Sequence, residues 1–306
     1  MKDTWASGAP SSILAVVALY NCQLCDSQAV SSLLRILNED VVLAKHFSVI
    51  LYDNSPHPQK PAMQASFRVQ YFHDPSNGGL ASAYNFALAR AESEGLEWLL
   101  LFDQDTSPTH DFLSELLQSA TTLYARQEVG AIVPKLLVRG KIFSPEQNFL
   151  HQLRRQHLRS NHMMTRETLG LQQRQLNAYN SGAMIRVSAL RAIGGFAREF
   201  WLDYLDHAVF SRLFTHGYRM FVMHAELEHQ YSLSDLESIP LWRLENILLA
   251  QTLFVRQTGN FVDRLLYRLF LLRFSRGLRK SRKDPRAWRQ AALQAFLLRV
   301  PETPRS

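Results

Sequence analysis

The sequence has no uninterrupted apolar stretch that approaches the ~20 residues of a membrane-spanning helix. Its N-terminus also lacks a basic segment followed by an apolar run and a small-residue cleavage site, which is the pattern of a secretory signal. These absences favour a cytoplasmic protein. The charged fraction is only 20% and the hydrophobic fraction is 46%, values that exclude a disordered chain and are typical of a folded globular protein.

Cysteine is scarce, since Cys22 and Cys25 are the only two and form a C-x-x-C pair. No second pair exists to complete a zinc site of four ligands. The pair is either a redox site after a strand or two reduced thiols in a reducing compartment. We favour the reduced thiols, because a single short motif is a weak signal.

Acidic residues are few in the C-terminal region. Between Asp263 and Arg289 there are ten Lys/Arg and two Asp/Glu, although the whole chain carries a net charge of only +7. This local excess predicts an anionic partner for the C-terminal region alone. From about residue 238 the pattern is helical and basic, so we predict one domain over residues 1–237 and a C-terminal helical basic extension over residues 238–306.

The first hundred residues alternate between short apolar runs and segments with helical spacing. Ile13–Leu19 is continuously apolar, as is typical of a buried parallel strand. Residues 47–52, 67–72 and 98–102 predict three further strands, and residues 80–91 predict a helix. The alternation predicts an α/β fold with a doubly wound, mostly parallel sheet. Residues 140–177 are polar with little periodicity, so a long loop is expected there.

Polar clusters follow three of the predicted strands. Tyr20-Asn21, Asp53-Asn54 and Asp103-Gln104-Asp105 each come where a strand ends, and ligands of such sheets bind beyond the carboxyl ends of the strands. Two carboxylates one residue apart can share a divalent cation and a ribose, because hard cations prefer oxygen ligands. The alternative interpretation of the acidic triplet is a solvated turn before the next helix.

Three further segments carry polar or glycine-rich patterns. The segment from Asn77 to Asn85 contains Gly78-Gly79 before a helix, which suits either a diphosphate at the helix N-terminus or a simple tight turn. Asn180-Ser181-Gly182 and Trp201 to Asp206 combine polar groups with an aromatic ring, which suits a sugar site or an acidic helix N-terminus. His229 follows an apolar segment and is either a ligand at the same edge or a structural histidine.

Taken in this order, the segments resemble those of the family 2 glycosyltransferases with the GT-A fold, from about Ile13 to Tyr231. Asp53-Asn54-Ser55 is similar to the family's D-N-S, and Asn77 to Asn85 is similar to its N-x-G-x-A-x-A-x-N. Asp103-Gln104-Asp105 matches the D-x-D motif. The D-Q-D form, and the block from Phe200 to Asp206, resemble those of bacterial rhamnosyltransferases.

The resemblance implies an inverting reaction, in which an acceptor hydroxyl displaces the nucleotide diphosphate from the anomeric carbon of a nucleotide sugar. It implies Mg²⁺ or Mn²⁺ bound by Asp105 and His229, and a general base, for which Asp203 is preferred and Asp206 is the alternative. Contacts with the nucleotide sugar are expected from Tyr20, Asn21, Asp53, Asn77, Gly79, Asn85, Asp103 and Gln104. Contacts with the acceptor are expected from Trp201, Ser181 and Gly182.

The rhamnosyltransferase resemblance implies dTDP-L-rhamnose as the donor and a growing bacterial surface glycan, free or lipid-linked, as the acceptor. A UDP-sugar donor is the alternative with the same mechanism. A nucleotidyltransferase would need a Gly- and Arg/Lys-rich phosphate loop after the first strand, and residues 21–25 contain neither glycine nor a basic residue. A nucleic-acid-binding protein would explain the basic region but not the acidic edge, so no nucleic-acid partner is expected.

The basic region also contains a possible membrane-binding helix. Leu266, Phe270, Phe274 and Leu278 recur every four residues, and the arginines lie largely off that face. A basic amphipathic helix can lie in a membrane interface, which would place the protein at the inner face of the plasma membrane. The alternative is that the same apolar face packs on the rest of the protein.

Overall fold

The computed structural model describes residues 13–60, 65–147, 149–158, 167–228, 240–277 and 285–297. The strands are β1 (Ile13–Leu19), β2 (Phe47–Asp53), β3 (Arg68–His73), β4 (Trp98–Asp103), β5 (Val129–Val138), β6 (Lys141–Ser144), β7 (Glu146–Gln147), β8 (Gly170–Gln172), β9 (Leu176–Asn177), β10 (Met184–Arg186) and β11 (Arg219–Glu228). The helices are α1 (Gln28–Glu39), α2 (Val41–Ala44), α3 (Gly79–Ser93), α4 (His110–Thr122), α5 (Phe149–Leu158), α6 (Val187–Ala192), α7 (Leu205–Thr215), α8 (Leu241–Thr258), α9 (Phe261–Gly277) and α10 (Pro285–Phe296).

The first four strands form the parallel half of the main sheet. β1 pairs in parallel with β2 on one side and β4 on the other, and β2 pairs in parallel with β3. Every residue of β1 is buried, and a strand covered on both faces needs apolar side chains at successive positions. The α/β fold predicted from the sequence is therefore confirmed.

The second half of the sheet is mixed. The strand order is β3-β2-β1-β4-β10-β5-β11-β8, with β6 joined to β5. β10 is antiparallel to both of its neighbours, β11 is parallel to β5, and β8 is antiparallel to β11. The run of parallel pairs from β3 to β4 ends there, because the three-residue β10 enters between β4 and β5 in the opposite direction.

Side chains of β1 alternate between two hydrophobic cores, one on each face of the sheet. Helices α1 and α4 cover one face, and α3, α6 and α7 cover the other. The three C-terminal helices extend the second core, where Phe254 of α8 and Tyr267 of α9 are fully buried. Within the described ranges no helix is both long and apolar enough to cross a bilayer. The domain boundary at residue 237 falls outside the described residues and stays a prediction.

Residues 140–177 are not a long loop where the structure describes them, so that expectation was wrong. β6 pairs with β5, β7 pairs with β9, and α5 places Leu150 and Leu153 in the core. The strands here contain two to four residues each. Such short strands show no apolar alternation in the sequence, because most of their neighbours along the chain are polar.

A buried arginine joins three elements at the end of the sheet opposite the polar clusters. The side chain of Arg186 is fully buried, and its guanidinium lies 4.3 Å from the ring centroid of Trp98. It donates hydrogen bonds to the carbonyls of Val129 (2.9 Å) and Leu123 (3.1 Å), and it forms an ion pair with Glu97. The cation is therefore both paired and hydrogen-bonded, as burial of a charge requires.

We expect Arg186→Met to destabilise the protein by about 3 kcal/mol, because it removes the hydrogen bonds to the carbonyls of Val129 and Leu123 and leaves Glu97 without its cation. Arg126→Met is the control, since the pair of Arg126 with Glu128 is exposed and should contribute less than about 1 kcal/mol. The free energy of unfolding in urea measures both effects. Equal losses in the two variants would contradict the role given to Arg186.

Candidate active site

The ends of β1, β2 and β4 are tied together at one edge of the sheet. The backbone N–H of Tyr20 donates to Oε1 of Gln104 (2.8 Å), and the N–H of Asn21 donates to Oγ of Ser55 (2.9 Å). Asn21 has a positive φ of 48°, which turns the chain sharply as it leaves β1. The three polar clusters that the sequence placed after strands therefore meet in one site.

Asp53 lies at the bottom of this site and is fully buried. Its Oδ2 accepts hydrogen bonds from the hydroxyl of Tyr71 (2.7 Å) and from Nε2 of Gln59 (2.9 Å), and its Oδ1 accepts one from the N–H of Ser55 (2.9 Å). Burial alone would raise the pKa of Asp53, but these hydrogen bonds outweigh it and hold the pKa below its usual range. Asp53 is therefore an ionised carboxylate whose acceptor positions are filled from within the protein.

Gln59 is a site residue that sequence reasoning missed. Its Nε2 also donates to the carbonyl of Cys22 (2.8 Å), and its Oε1 accepts from the N–H of Leu24 (2.9 Å). One side-chain amide thus joins the loop after β1 to Asp53. Nothing in the local sequence signals this role, because Cys22 and Leu24 lie 37 and 35 positions earlier in the chain.

Asp103 is oriented by two hydroxyl groups. Its Oδ2 accepts a hydrogen bond from Oγ of Ser181 (2.6 Å), and its Oδ1 accepts one from the hydroxyl of Tyr84 (3.2 Å). The hydroxyl of Ser181 thus orients Asp103, and its expected contact with the acceptor stays a prediction. Gly182 is also buried, and a Cβ there would meet Leu227 at 3.0 Å, so packing explains this glycine better than acceptor contact does.

The hydroxyl of Tyr84, which is hydrogen-bonded to Asp103, is also affected by other acidic groups. Burial raises the pKa of its hydroxyl well above the usual value, and the nearby charges of Asp103, Asp206 and Asp105 raise it further. The charges of three carboxylates thus act on one buried phenol, and Asp103 is hydrogen-bonded to it. Tyr84 lies in the predicted helix segment, but its apolar neighbours suggested only a core position.

The N-terminus of α3 is held against the loop that carries Trp201. The indole N–H of Trp201 donates to the carbonyl of Asn77 (2.9 Å), and the carbonyl of Trp201 accepts from the N–H of Leu80 (3.0 Å). Gly79 has φ 72°, and a Cβ on it would lie 2.2 Å from the Trp201 carbonyl oxygen. Only glycine permits this approach of the two loops.

Asn85 has a structural partner instead of a ligand. Its Nδ2 donates to the carbonyl of Phe196 (2.7 Å), and its Oδ1 accepts from the N–H of the same residue (2.9 Å). Both ends of the amide are thus bonded within the protein, and the expected contact of Asn85 with the nucleotide sugar stays a prediction. Gly195 lies close beside the amide, and α3 is thereby clamped to the segment that leads to Trp201.

The two candidate bases, Asp203 and Asp206, do not lie on the same helix. α7 begins at Leu205, and Tyr204 before it has a left-handed φ of 63°, so Asp203 lies outside the helix. Asp203 pairs with Arg243 of α8 at 2.9 Å, and its side chain is only 12% exposed. Burial and the charge of Asp206 raise the pKa of Asp203 to about 6, although Arg243 opposes them.

Asp206 is paired with a histidine that sequence reasoning missed. Its Oδ1 accepts hydrogen bonds from the backbone N–H of His207 (2.7 Å) and from the Nδ1 of the same residue (2.9 Å). Burial disfavours the charge on His207, but Asp206 and Glu146 outweigh it and raise the pKa to about 9. Asp206 thus faces a buried cation.

The described residues offer a metal ion two neighbouring carboxylates, Asp103 and Asp105. No group of three His, Cys, Asp or Glu side chains able to hold a metal occurs in the part of the chain that the structure describes. His229, the other expected ligand, lies outside the described residues. Two carboxylates completed by diphosphate oxygens are a usual set for Mg²⁺, so the donor atoms fit a hard cation.

We expect Gly79→Ala to separate the α3 N-terminus from the Trp201 loop, because its Cβ would clash with the Trp201 carbonyl and indole. Gly95→Ala is the matched control, since Gly95 has a similar φ of 66° but nothing within 4 Å of its Cβ. The control should cost only the backbone strain, about 1 kcal/mol. Unfolding in urea should show a loss at least about 2 kcal/mol larger for Gly79→Ala. Equal losses would disprove the close contact.

Comparison with known proteins identifies the family. The model of glycosyl transferase family 2 matches residues 15–194. The crystal structure of S. aureus TarS 1-349 superposes with a TM-score of 0.58 at 16% identity, over 95% of this chain and 81% of that chain. The same protein in complex with UDP-GlcNAc gives 0.57 at 13% identity, over 95% and 82%. The mannosyltransferase PcManGT from Pyrobaculum calidifontis, in complex with GDP-Man and Mn2+, gives 0.47 at 15% identity, over 97% and 73%.

At these identities the two TarS superpositions show a shared fold and nothing finer. A search of curated protein sequences found no match. The family match includes β1 to β4 and the acidic triplet, and it covers more than half of the chain. The chain therefore belongs to glycosyl transferase family 2, and its function is the transfer of a sugar.

Proposed function

We propose that this glycosyltransferase moves L-rhamnose from dTDP-L-rhamnose to a hydroxyl of a bacterial surface glycan, with inversion at the anomeric carbon. The observation that carries the proposal is that the parallel strands β1, β2 and β4 bring the buried Asp53 and the Asp103-Gln104-Asp105 triplet to one edge of the sheet. The choice of rhamnose rests on the resemblance of the D-Q-D triplet and residues 200–206 to rhamnosyltransferases. A UDP-sugar is the second candidate, because a TarS structure of the same fold holds UDP-GlcNAc.

The nucleoside lies between the loop after β1 and the end of β2. Tyr20 and Asn21 are exposed at this edge and form its rim. The imide N–H of thymine or uracil donates to Asp53, and this requires Gln59 to give up its own hydrogen bond to the carboxylate. One internal hydrogen bond is exchanged for one to the ligand, so the net cost of opening is small.

The diphosphate lies near Asp103, Gln104 and Asp105, with Asn77 and Gly79 at the N-terminus of α3. The positive end of the α3 dipole favours an anion there. Asp105 is the protein ligand of Mg²⁺ or Mn²⁺, Asp103 contacts the ribose or a water on the ion, and His229 is a second ligand by family resemblance. When bound, the cation supplies positive charge that stabilises the diphosphate as it leaves.

The acceptor hydroxyl approaches from the side of Trp201, whose partly exposed ring offers a stacking face for a sugar. Asp203 takes the hydroxyl proton while the oxygen forms its bond to the anomeric carbon and the bond from that carbon to the diphosphate breaks. The pKa of Asp203, about 6, suits a base at neutral pH, because the carboxylate is ionised yet more basic than an exposed one. Arg243 holds this carboxylate in place.

Release of the nucleotide diphosphate from a panel of sugar nucleotides tests the donor. We expect dTDP-L-rhamnose to be hydrolysed fastest with Mg²⁺ or Mn²⁺ present, and hydrolysis to stop in excess EDTA. Asp105→Ala should lower turnover at least about 100-fold, whereas the control Asp111→Ala, on a fully exposed carboxylate of α4, should be unaffected. If a UDP-sugar is hydrolysed fastest, the proposed donor is wrong. If full activity remains in EDTA, the proposed metal dependence is wrong.

The pH dependence of kcat tests the base. Because a protonated Asp203 cannot accept the proton, kcat should fall about tenfold per pH unit below about 6. Asp203→Asn should lower kcat by about 10²–10⁴-fold while donor affinity stays nearly unchanged. Asp206→Asn should retain the acidic limb of the profile.

The variant Arg243→Gln tests whether the ion pair of Arg243 with Asp203 affects catalysis or only stability. Arg243 lowers the pKa of Asp203, so its removal should shift the acidic limb to higher pH, which a purely structural role of the pair would not do. If Asp203→Asn keeps normal turnover and Asp206→Asn is inactive with its donor affinity preserved, the two roles must be exchanged.

A further inference from the structure

One face of α9 packs on the rest of the protein. Tyr267 and Leu271 are fully buried there, and the partly buried Leu266, Phe270 and Phe274 lie against the same core. This is the face that the sequence pattern offered to a membrane, so that hypothesis was wrong for these residues, and Leu278 lies outside the described ones. The core-packing alternative is what the structure shows.

The opposite face of α9 carries a second apolar stripe. Phe261 is 80% exposed, Val262 54%, Leu265 48% and Leu269 40%. Because successive helical residues are rotated by about 100°, these four side chains lie within one arc of about 100°. We call them the outer stripe of α9. They are a third of the large hydrophobic residues exposed in the described part of the chain, and all four lie within the nine positions from Phe261 to Leu269.

Arginines border the outer stripe on both sides. By the same helical rotation, Arg264 and Arg268 lie along one edge and Arg273 along the other, with Arg276 at the C-terminal end. The single acid of α9, Asp263, is buried and paired with Arg154 at 2.6 Å. The outer surface of this helix therefore combines apolar side chains with positive charge and carries no acid.

Helix α10 continues the same kind of surface. The guanidinium of Arg268 lies 5.9 Å from the ring centroid of Phe296, which brings the end of α10 to the edge of the outer stripe. Leu293 on that helix is 47% exposed, and Leu297 directly after it is 57% exposed. The sequence of α10 contains no acidic residue.

We propose that the outer stripe of α9 binds the surface of an anionic lipid bilayer, with the helix parallel to the membrane plane. The apolar side chains enter the boundary between headgroups and acyl chains, and the flanking arginines contact lipid phosphates. A nucleic acid would use the arginines but leave Phe261 and Leu265 in water. A second copy of this chain would bring like charges together on both sides of the stripe. The surface thus fits anionic lipid best, independently of which sugar is transferred.

Co-sedimentation of the full chain with vesicles tests this proposal. The vesicles are phosphatidylcholine alone or with about 30% phosphatidylglycerol, a lipid whose anionic headgroup attracts basic residues. The doubly substituted variant Phe261→Glu, Leu265→Glu places charge on exposed positions, so it should fold normally. Val42→Glu is the matched control, because Val42 is 71% exposed on α2, outside the outer stripe. Urea unfolding of each variant verifies that the fold is intact.

We expect the wild type and Val42→Glu to bind the anionic vesicles, and the double variant to bind at least tenfold more weakly. Binding should also fall in about 1 M salt, where the Debye length is about 3 Å. Equal binding of wild type and double variant, or no binding of the wild type, overturns the proposal. A third outcome also overturns it: the wild type is a dimer that does not bind vesicles, and the double variant is a monomer. The outer stripe would then bind a second copy of the chain. Vesicle binding does not depend on which donor is hydrolysed. A negative result in the dTDP-L-rhamnose assay would therefore contradict the proposed function and not the membrane proposal.

Discussion

The register of β1 between β2 and β4 is the constraint on which the site depends. Leu19 lies opposite Asp53, and Ala18 lies opposite Asp103. Because all three strands are parallel, their carboxyl ends reach the same edge, and the two carboxylates come to lie on either side of the β1 end. β1 supplies no catalytic group itself, yet its continuous burial makes this register rigid.

The second half of the chain completes the site through contacts between segments that are distant in the sequence. Ser181 reaches Asp103 because the antiparallel β10, entered through the turn after Asn180, starts beside the end of β4. The Trp201 loop reaches α3 because Gly79 has no side chain in its way. Both contacts join segments about 80 to 120 positions apart and hold the end of β4, the start of α3 and the Trp201 loop in fixed relative positions.

Burial gives two neighbouring acids different chemistry. Asp203 is shielded from solvent and retains one cation, Arg243, so its pKa rises to about 6. Asp206 faces the charged His207, which a second acid, Glu146, also supports. Two carboxylates three positions apart thus become a candidate base and a partner of a buried imidazolium. Arg243 of α8, which pairs with Asp203 only, comes from the C-terminal region. That region therefore contributes a side chain to the candidate site.

The sequence by itself determined the parallel strands β1 to β4, the polar clusters at their ends and the family, because a doubly buried strand requires a continuous apolar run and a turn after it requires polar residues. Only the tertiary structure decided what Gln59, Tyr84 and His207 contact, since their partners are set by packing and not by local pattern. It also decided which face of α9 is exposed. Both faces contain apolar residues at helical spacing, and only contact with the core shows which of them is covered.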